Sequence, residues 1–238
     1  MPVVIAHNGK GNENQKSHWC VGKGKNMTNK YELTNYTFTV AMEDLYQIRA
    51  IRDFGDVKAG DLGGYIKSEK NLSQKGDCWV YPGSFAYEDS HVTGSSKILN
   101  GAHICGNAEI DDSIIKDVGT LVCDYSKVIR STVKGGAWIH HDVEVYDSII
   151  SNDNDNTELS GNTTVVGANI SDATDIIYVN IGHTTFYRST NKIRVSSRLL
   201  NVTNMPIDMF EEDFKDRKDI ATCVQVARTI LNEKKNRD

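Results

Sequence analysis

A small residue two places before an aliphatic one recurs about every six residues from Cys78 to Ile170, and few folds tolerate such a pattern. It runs through Ser84-Phe85-Ala86, Ser90-His91-Val92, Ser96-Lys97-Ile98, Ala102-His103-Ile104, Ala108-Glu109-Ile110 and Ser113-Ile114-Ile115. It continues through Thr120-Leu121-Val122, Ser126-Lys127-Val128, Ser131-Thr132-Val133, Ala137-Trp138-Ile139, Val143-Glu144-Val145 and Ser148-Ile149-Ile150, and ends with Thr157-Glu158-Leu159, Thr163-Thr164-Val165 and Ala168-Asn169-Ile170. Each unit alternates in–out–in, as a strand period of two requires. Ile98, Ile115, Val133, Ile150 and Ile170 are separated by 17, 18, 17 and 20 residues, three units to a turn. The expected fold is therefore mainly β, a three-sided parallel β-helix over 81–175.

The flanks differ. Residues 1–29 lack an apolar period between His7 and Lys25 and read as a flexible arm. Residues 30–80 read as a capping module, with short strands at Tyr31–Leu33, Thr37–Val40 and Leu45–Ile51; Gly63 and Gly64 are expected at positive-φ corners. The polar run Ser151–Asn156 should bulge from a corner as a loop. Residues 176–238 read as a small α+β module: a hairpin over Thr184–Tyr187 and Ile193–Ser197, a helix opened by Pro206 and Asp208, and a second helix over Lys218–Lys234. Such a module would cover the open end of the solenoid.

Composition narrows the function classes. A net charge of −5 gives no broad basic surface for duplex nucleic acid. No apolar run approaches the ~20 residues of a membrane helix. The five cysteines are scattered without a C-x-x-C pair, which suits reduced thiols and a cytoplasmic location.

Stacked coils place equivalent side chains in columns about 4.8 Å apart. The first face should present Phe85, His103, Leu121, Trp138 and Glu158, where a solvated strand would be polar. Phe85, His103, Leu121 and Trp138 are thus a candidate interface, covered by a second copy of the chain, a partner or the N-terminal strands. The second face, His91, Glu109, Lys127, Glu144 and Thr164, is a solvated charged column. The neighbouring column Tyr87, Cys105, Cys123, His140 and Ser160 is a poor tetrahedral cage, so neither a metal nor a cofactor is expected. His140 and His141, at a coil corner beside Trp138, are candidate ligand-binding residues. In an enzyme one of them would be the base, with Asp142 as its orienting carboxylate.

Residues 30–170 resemble hexapeptide-repeat left-handed β-helix proteins, and in particular proteins of phage and prophage type. The resemblance rests on Ile48-Arg-Ala-Ile-Arg-Asp-Phe-Gly-Asp-Val-Lys-Ala-Gly-Asp-Leu-Gly-Gly-Tyr-Ile66, on Gly76-Asp-Cys-Trp-Val80, and on Thr185-Phe-Tyr-Arg188 through Phe210-Glu-Glu-Asp-Phe214. Ser196-Ser-Arg-Leu-Leu200 departs from a cysteine-containing stretch of that group. The resemblance implies left-handed coils, against the usual right-handed crossover, and a homo-oligomer, with a trimer favoured. It points to a non-catalytic binding or scaffold protein in a host cytoplasm, interfering with a pathway such as antiviral defence by sequestering a host protein or a small nucleotide-like ligand. The alternative is an acyltransferase using acyl-coenzyme A, with His140 or His141 as base.

Overall fold

The computed structural model describes residues 29–152, 157–171, 175–179, 183–189, 192–197 and 199–233. The N-terminal arm and most of the Ser151–Asn156 run lie outside the described residues.

Three parallel sheets build the body. In the first, Phe85, His103, Leu121, Trp138 and Glu158 stack in register. In the second, His91, Glu109, Lys127, Glu144 and Thr164 do the same. In the third, Lys97, Ile114, Thr132, Ile149 and Asn169 align. The columns expected from the hexapeptide spacing are therefore the observed ones, and the expected left-handed, three-sided β-helix fits this topology.

The aliphatic positions fill the prism. Ile104, Val122 and Ile139 are buried on the first face, Ile110, Val128 and Val145 on the second, and Ile98, Ile115, Val133 and Ile150 on the third. The small residues two places earlier are buried as well. Ser113 Oγ, for example, donates to the Val128 carbonyl at 3.1 Å and accepts the Ser131 N–H at 3.0 Å. A larger residue there would displace backbone, which is why this position is restricted to small side chains.

Corners turn through the left-handed backbone region. Glu88, Gly106, Asp124, His141 and Gly161 stack at one corner, all at positive φ. Gly94, Asp112, Arg130, Asp147 and Gly167 repeat this at the next. Non-glycine corner residues offset part of their strain through their side chains. Asp124 Oδ2 accepts the His141 N–H of the coil below at 2.8 Å, and Arg130 makes a two-pronged contact with Asp147 at 2.7 and 2.8 Å.

Residues 30–80 do more than cap. Tyr31–Val40 and Glu43–Ala50 form an antiparallel hairpin, longer than the separate strands expected. The chain then enters the solenoid: Leu62–Ile66 pairs in parallel with Phe85–Ala86, Leu72 bridges to Val92, and Trp79–Val80 pairs with Lys97–Ile98. Ile66, Leu72 and Val80 are buried like the aliphatic residues below them and supply one further coil. Its irregular spacing hides it from a six-residue reading.

Gly63 and Gly64 correct the sequence expectation. Neither has a positive φ; a Cβ on Gly63 would lie 2.5 Å from Ile48 Cγ1, and one on Gly64 would lie 2.3 Å from the Ser84 carbonyl oxygen. Close approach, not turn geometry, requires glycine here. Lys30 adds a second anchor: its buried Nζ donates to the carbonyls of Lys75, Gly76 and Cys78 and contacts the Cys78 sulfur at 3.2 Å. Burial lowers the Lys30 pKa and raises that of Cys78.

At the other end, Ile176–Val179, Thr184–Ser189, Lys192–Ser197 and Val202–Pro206 form a four-stranded antiparallel sheet. The expected hairpin is its central pair, and the outer two strands were not anticipated. The helices α1 (Ile207–Asp213) and α2 (Lys218–Glu233) bury Ile207, Phe210, Ile220, Val224, Ala227 and Leu231 against Phe186 and Val195. Tyr187 belongs instead to the solenoid core, and its hydroxyl accepts the Val166 N–H at 3.3 Å. The module thus packs on the last coil.

Candidate functional site

The first face and the corner that follows it carry the candidate interface and ligand-binding residues of the solenoid. At its top, Phe38 of the N-terminal hairpin packs 5.3 Å from the Phe85 ring, and Tyr65 stacks on Phe85 at 5.7 Å. The upper end of the expected interface is therefore covered from within the chain. His103 continues the stack 4.5 Å below Phe85 and is half-buried, as is Leu121. Trp138 is the open end: 45% exposed, its indole N–H donates to the Gly119 carbonyl at 3.0 Å. The apolar stripe runs from a covered top to an open bottom.

Burial pushes the His103 imidazole below its ordinary value of 6.5, because the ring lies among apolar neighbours where a charge is poorly solvated. The unfolded chain therefore binds this proton more readily, so the stability linked to His103 is complete above about pH 6.5 and declines as pH falls through the lowered folded value. His103→Gln should weaken the loss of urea resistance between neutral and mildly acidic pH. An acid dependence identical to that of the parent protein would show that His103 does not set it.

One column over, Tyr87, Cys105, Cys123 and His140 follow down the coils. Cys105 and Cys123 are free thiols. A hydrogen bond from Cys123 lowers the Cys105 pKa, and the same contact raises that of Cys123. Burial pushes the Tyr87 hydroxyl up.

His140 departs from that ladder. Its Nε2 meets Glu158 Oε1 at 2.5 Å, with the His140 side chain only 19% exposed. A carboxylate only accepts, so Nε2 donates and the free lone pair of a neutral His140 is on Nδ1. The carboxylate on this nitrogen belongs to Glu158. Glu158 lies directly below Trp138 in the first-face column and diagonally below His140. Both residues belong to columns legible in the sequence, but their contact runs diagonally between columns.

His141 stands beside it. A strand would send consecutive side chains to opposite faces, but the positive φ of His141, 63°, breaks the alternation. The two imidazoles lie 4.4 Å apart, tilted by 44°. Asp124, one coil above His141, completes a group in which one ligand atom of each residue lies within 4.8 Å of the others. The two candidate histidines are thus brought together, flanked by Trp138 on the face and Asp124 at the corner.

Fold and corner together define a parallel β-helix of hexapeptide repeats carrying an imidazole–carboxylate pair beside a half-covered aromatic stripe. No family model matches the chain. The chain is similar to an uncharacterized acetyltransferase, YdcK, of Escherichia coli (strain K12), with 38% identity over 78 residues, 30% of this chain. The match spans 24% of the length of that relative. No described helix is long and apolar enough to cross a membrane.

Proposed function

We propose that this protein transfers acyl groups from a coenzyme A thioester to a hydroxyl or amine acceptor, with His140 as general base and Glu158 as its orienting carboxylate. The observation that carries the reading is the 2.5 Å contact between His140 Nε2 and Glu158, which leaves Nδ1 as the proton acceptor. Nδ1 takes the acceptor's proton as its oxygen or nitrogen attacks the thioester carbonyl, and the imidazolium returns a proton to the departing thiolate. Glu158 stabilises the transient positive charge on the ring. The exposed face of Trp138 offers an apolar surface beside the reacting groups. The relative's name as an acetyltransferase supports the same class of chemistry.

The test is release of free coenzyme A thiol from acetyl- and longer acyl-coenzyme A in the presence of sugar, amino-acid and amine acceptors. His140→Gln should lower turnover by about 10²- to 10⁴-fold, the range for loss of a positioned base. Glu158→Gln should lower it less, by roughly tenfold. Turnover in the parent protein that survives unchanged in His140→Gln would remove His140 from the chemistry. Absence of acyl-coenzyme A binding in calorimetry would remove the thioester.

A second reading has its own observation. Trp138, Ile114 and Ile149 all point outward and are exposed. A non-catalytic binding module of phage type, oligomeric and engaging a host protein or a nucleotide-like ligand, would use such surfaces. Under that reading Trp138→Asp with Leu121→Asp changes the mass in light scattering. An unchanged mass would leave the stripe without a role in self-association.

A further inference from the structure

We infer that Asp124, His140 and His141 form a binding site for a late first-row divalent cation such as Zn²⁺, with the remaining coordination positions open to water. The inference goes beyond acyl transfer and does not depend on it.

Two features of the backbone bring the ligands together. The coil stack sets Asp124 above His141, both at left-handed corner positions. The positive φ of His141 turns its ring to the side of His140. As a result one ligand atom of each residue lies within 4.8 Å of the others. Tetrahedral ligands about 2.0–2.1 Å from zinc sit roughly 3.4 Å apart, so modest side-chain rotations close the set.

Each part is also held from behind. Glu158 on His140 Nε2 fixes the ring and leaves Nδ1 as the nitrogen available to an ion, the placement of a carboxylate behind a metal-bound histidine. The His141 N–H on Asp124 Oδ2, at 2.8 Å, fixes the carboxylate and leaves Oδ1 for coordination. Backbone bonds hold the corner itself, with the Tyr125 N–H on the His141 carbonyl at 3.0 Å and the Asn107 N–H on the Asp124 carbonyl at 2.6 Å.

The donor set selects the ion. Two imidazole nitrogens and one carboxylate suit zinc, cobalt, nickel or copper, whereas calcium and magnesium require oxygen ligands. Three protein ligands with an open position are the arrangement of a reactive ion rather than of a closed structural one. An ion on His140 Nδ1 also takes the lone pair that a general base needs, so the two uses of this residue exclude each other and a bound ion would switch acyl transfer off.

The test is titration of the full, untagged chain with Co²⁺, followed by its visible absorption, and with Zn²⁺ by calorimetry. Neither readout involves turnover, so the outcome is separable from that of the acyl-transfer assay. One ion per chain is expected. Asp124→Asn keeps an acceptor for the His141 N–H but removes the charge, and His141→Asn keeps a residue that tolerates the corner conformation. Each should weaken binding by more than about tenfold, and Glu158→Gln by roughly 10- to 100-fold. His7, His18 and Cys20 lie in the arm outside the described residues and could hold an ion independently. Affinity unchanged in both Asp124→Asn and His141→Asn, with circular dichroism confirming folded variants, overturns the assignment. So does the absence of any binding at millimolar Zn²⁺.

Discussion

Ile115→Ala is expected to destabilise the protein by about 2–5 kcal/mol, whereas Ile114→Ala, one residue earlier, should change stability by less than about 0.5 kcal/mol. The two substitutions remove the same atoms from adjacent positions of one strand. Ile115 points into the prism between Ile98 above and Val133 below and is fully buried. Ile114 points out and is 41% exposed. Truncation of Ile115 loses the transfer free energy of its methyl and methylene groups and leaves a cavity that rigid neighbouring coils cannot close. Truncation of Ile114 mainly removes area that was already half in water. Urea denaturation of the two variants side by side provides the measurement, and similar midpoints would mean that the aliphatic column is not the core.

The second large effect lies at the join between the N-terminal hairpin and the solenoid. Gly64→Ala should lower stability by about 1–3 kcal/mol or more, the range for overpacking in a close-packed interior. Its Cβ would sit 2.3 Å from the Ser84 carbonyl oxygen and 2.5 Å from that of Tyr81, both backbone atoms that no rotamer change can move aside. Leu62–Ile66 would then shift out of register with Phe85–Ala86, and the first coil would loosen from the second. Gly83→Asn is the control. That glycine has a positive φ of 82° with nothing within 4 Å of its Cβ, and asparagine tolerates this conformation. A loss at Gly64→Ala no larger than that at Gly83→Asn would contradict the close-approach account.

How much of this was readable in the chain depends on whether a residue's role comes from periodicity or from proximity. The inward column at Ile98, Ile115, Val133 and Ile150, and the outward column ending in Trp138 and Glu158, follow from a strand period of two and coils of 17 or 18 residues. Register carries that pattern into space without further information. The coil of Ile66, Leu72 and Val80 escaped because its turns are uneven in length. Gly63 and Gly64 are ambiguous, because a glycine pair looks the same in sequence whether it turns the chain or admits a neighbouring strand.

The site was legible only in part. His140 and His141 stood out as paired imidazoles at a corner. The partner of His140 lies 18 residues away, across an insertion that lengthens that coil to 20 residues. The His141 ring reaches His140 and Asp124 through the left-handed φ of His141, which its residue type alone does not signal. The Glu158–His140 contact is diagonal between coils, whereas columns supply only vertical neighbours.

Everything proposed for the corner depends on Glu158 holding the Nε2 proton of His140 and so fixing the free lone pair on Nδ1. Nitrogen-15 NMR of the imidazoles, at a pH where they are neutral, observes this directly. A single Nε2–H tautomer for His140 in the parent protein, giving way to exchange between tautomers in Glu158→Gln, is the predicted result. An Nδ1–H tautomer, or a His140 spectrum unaffected by Glu158→Gln, would contradict it.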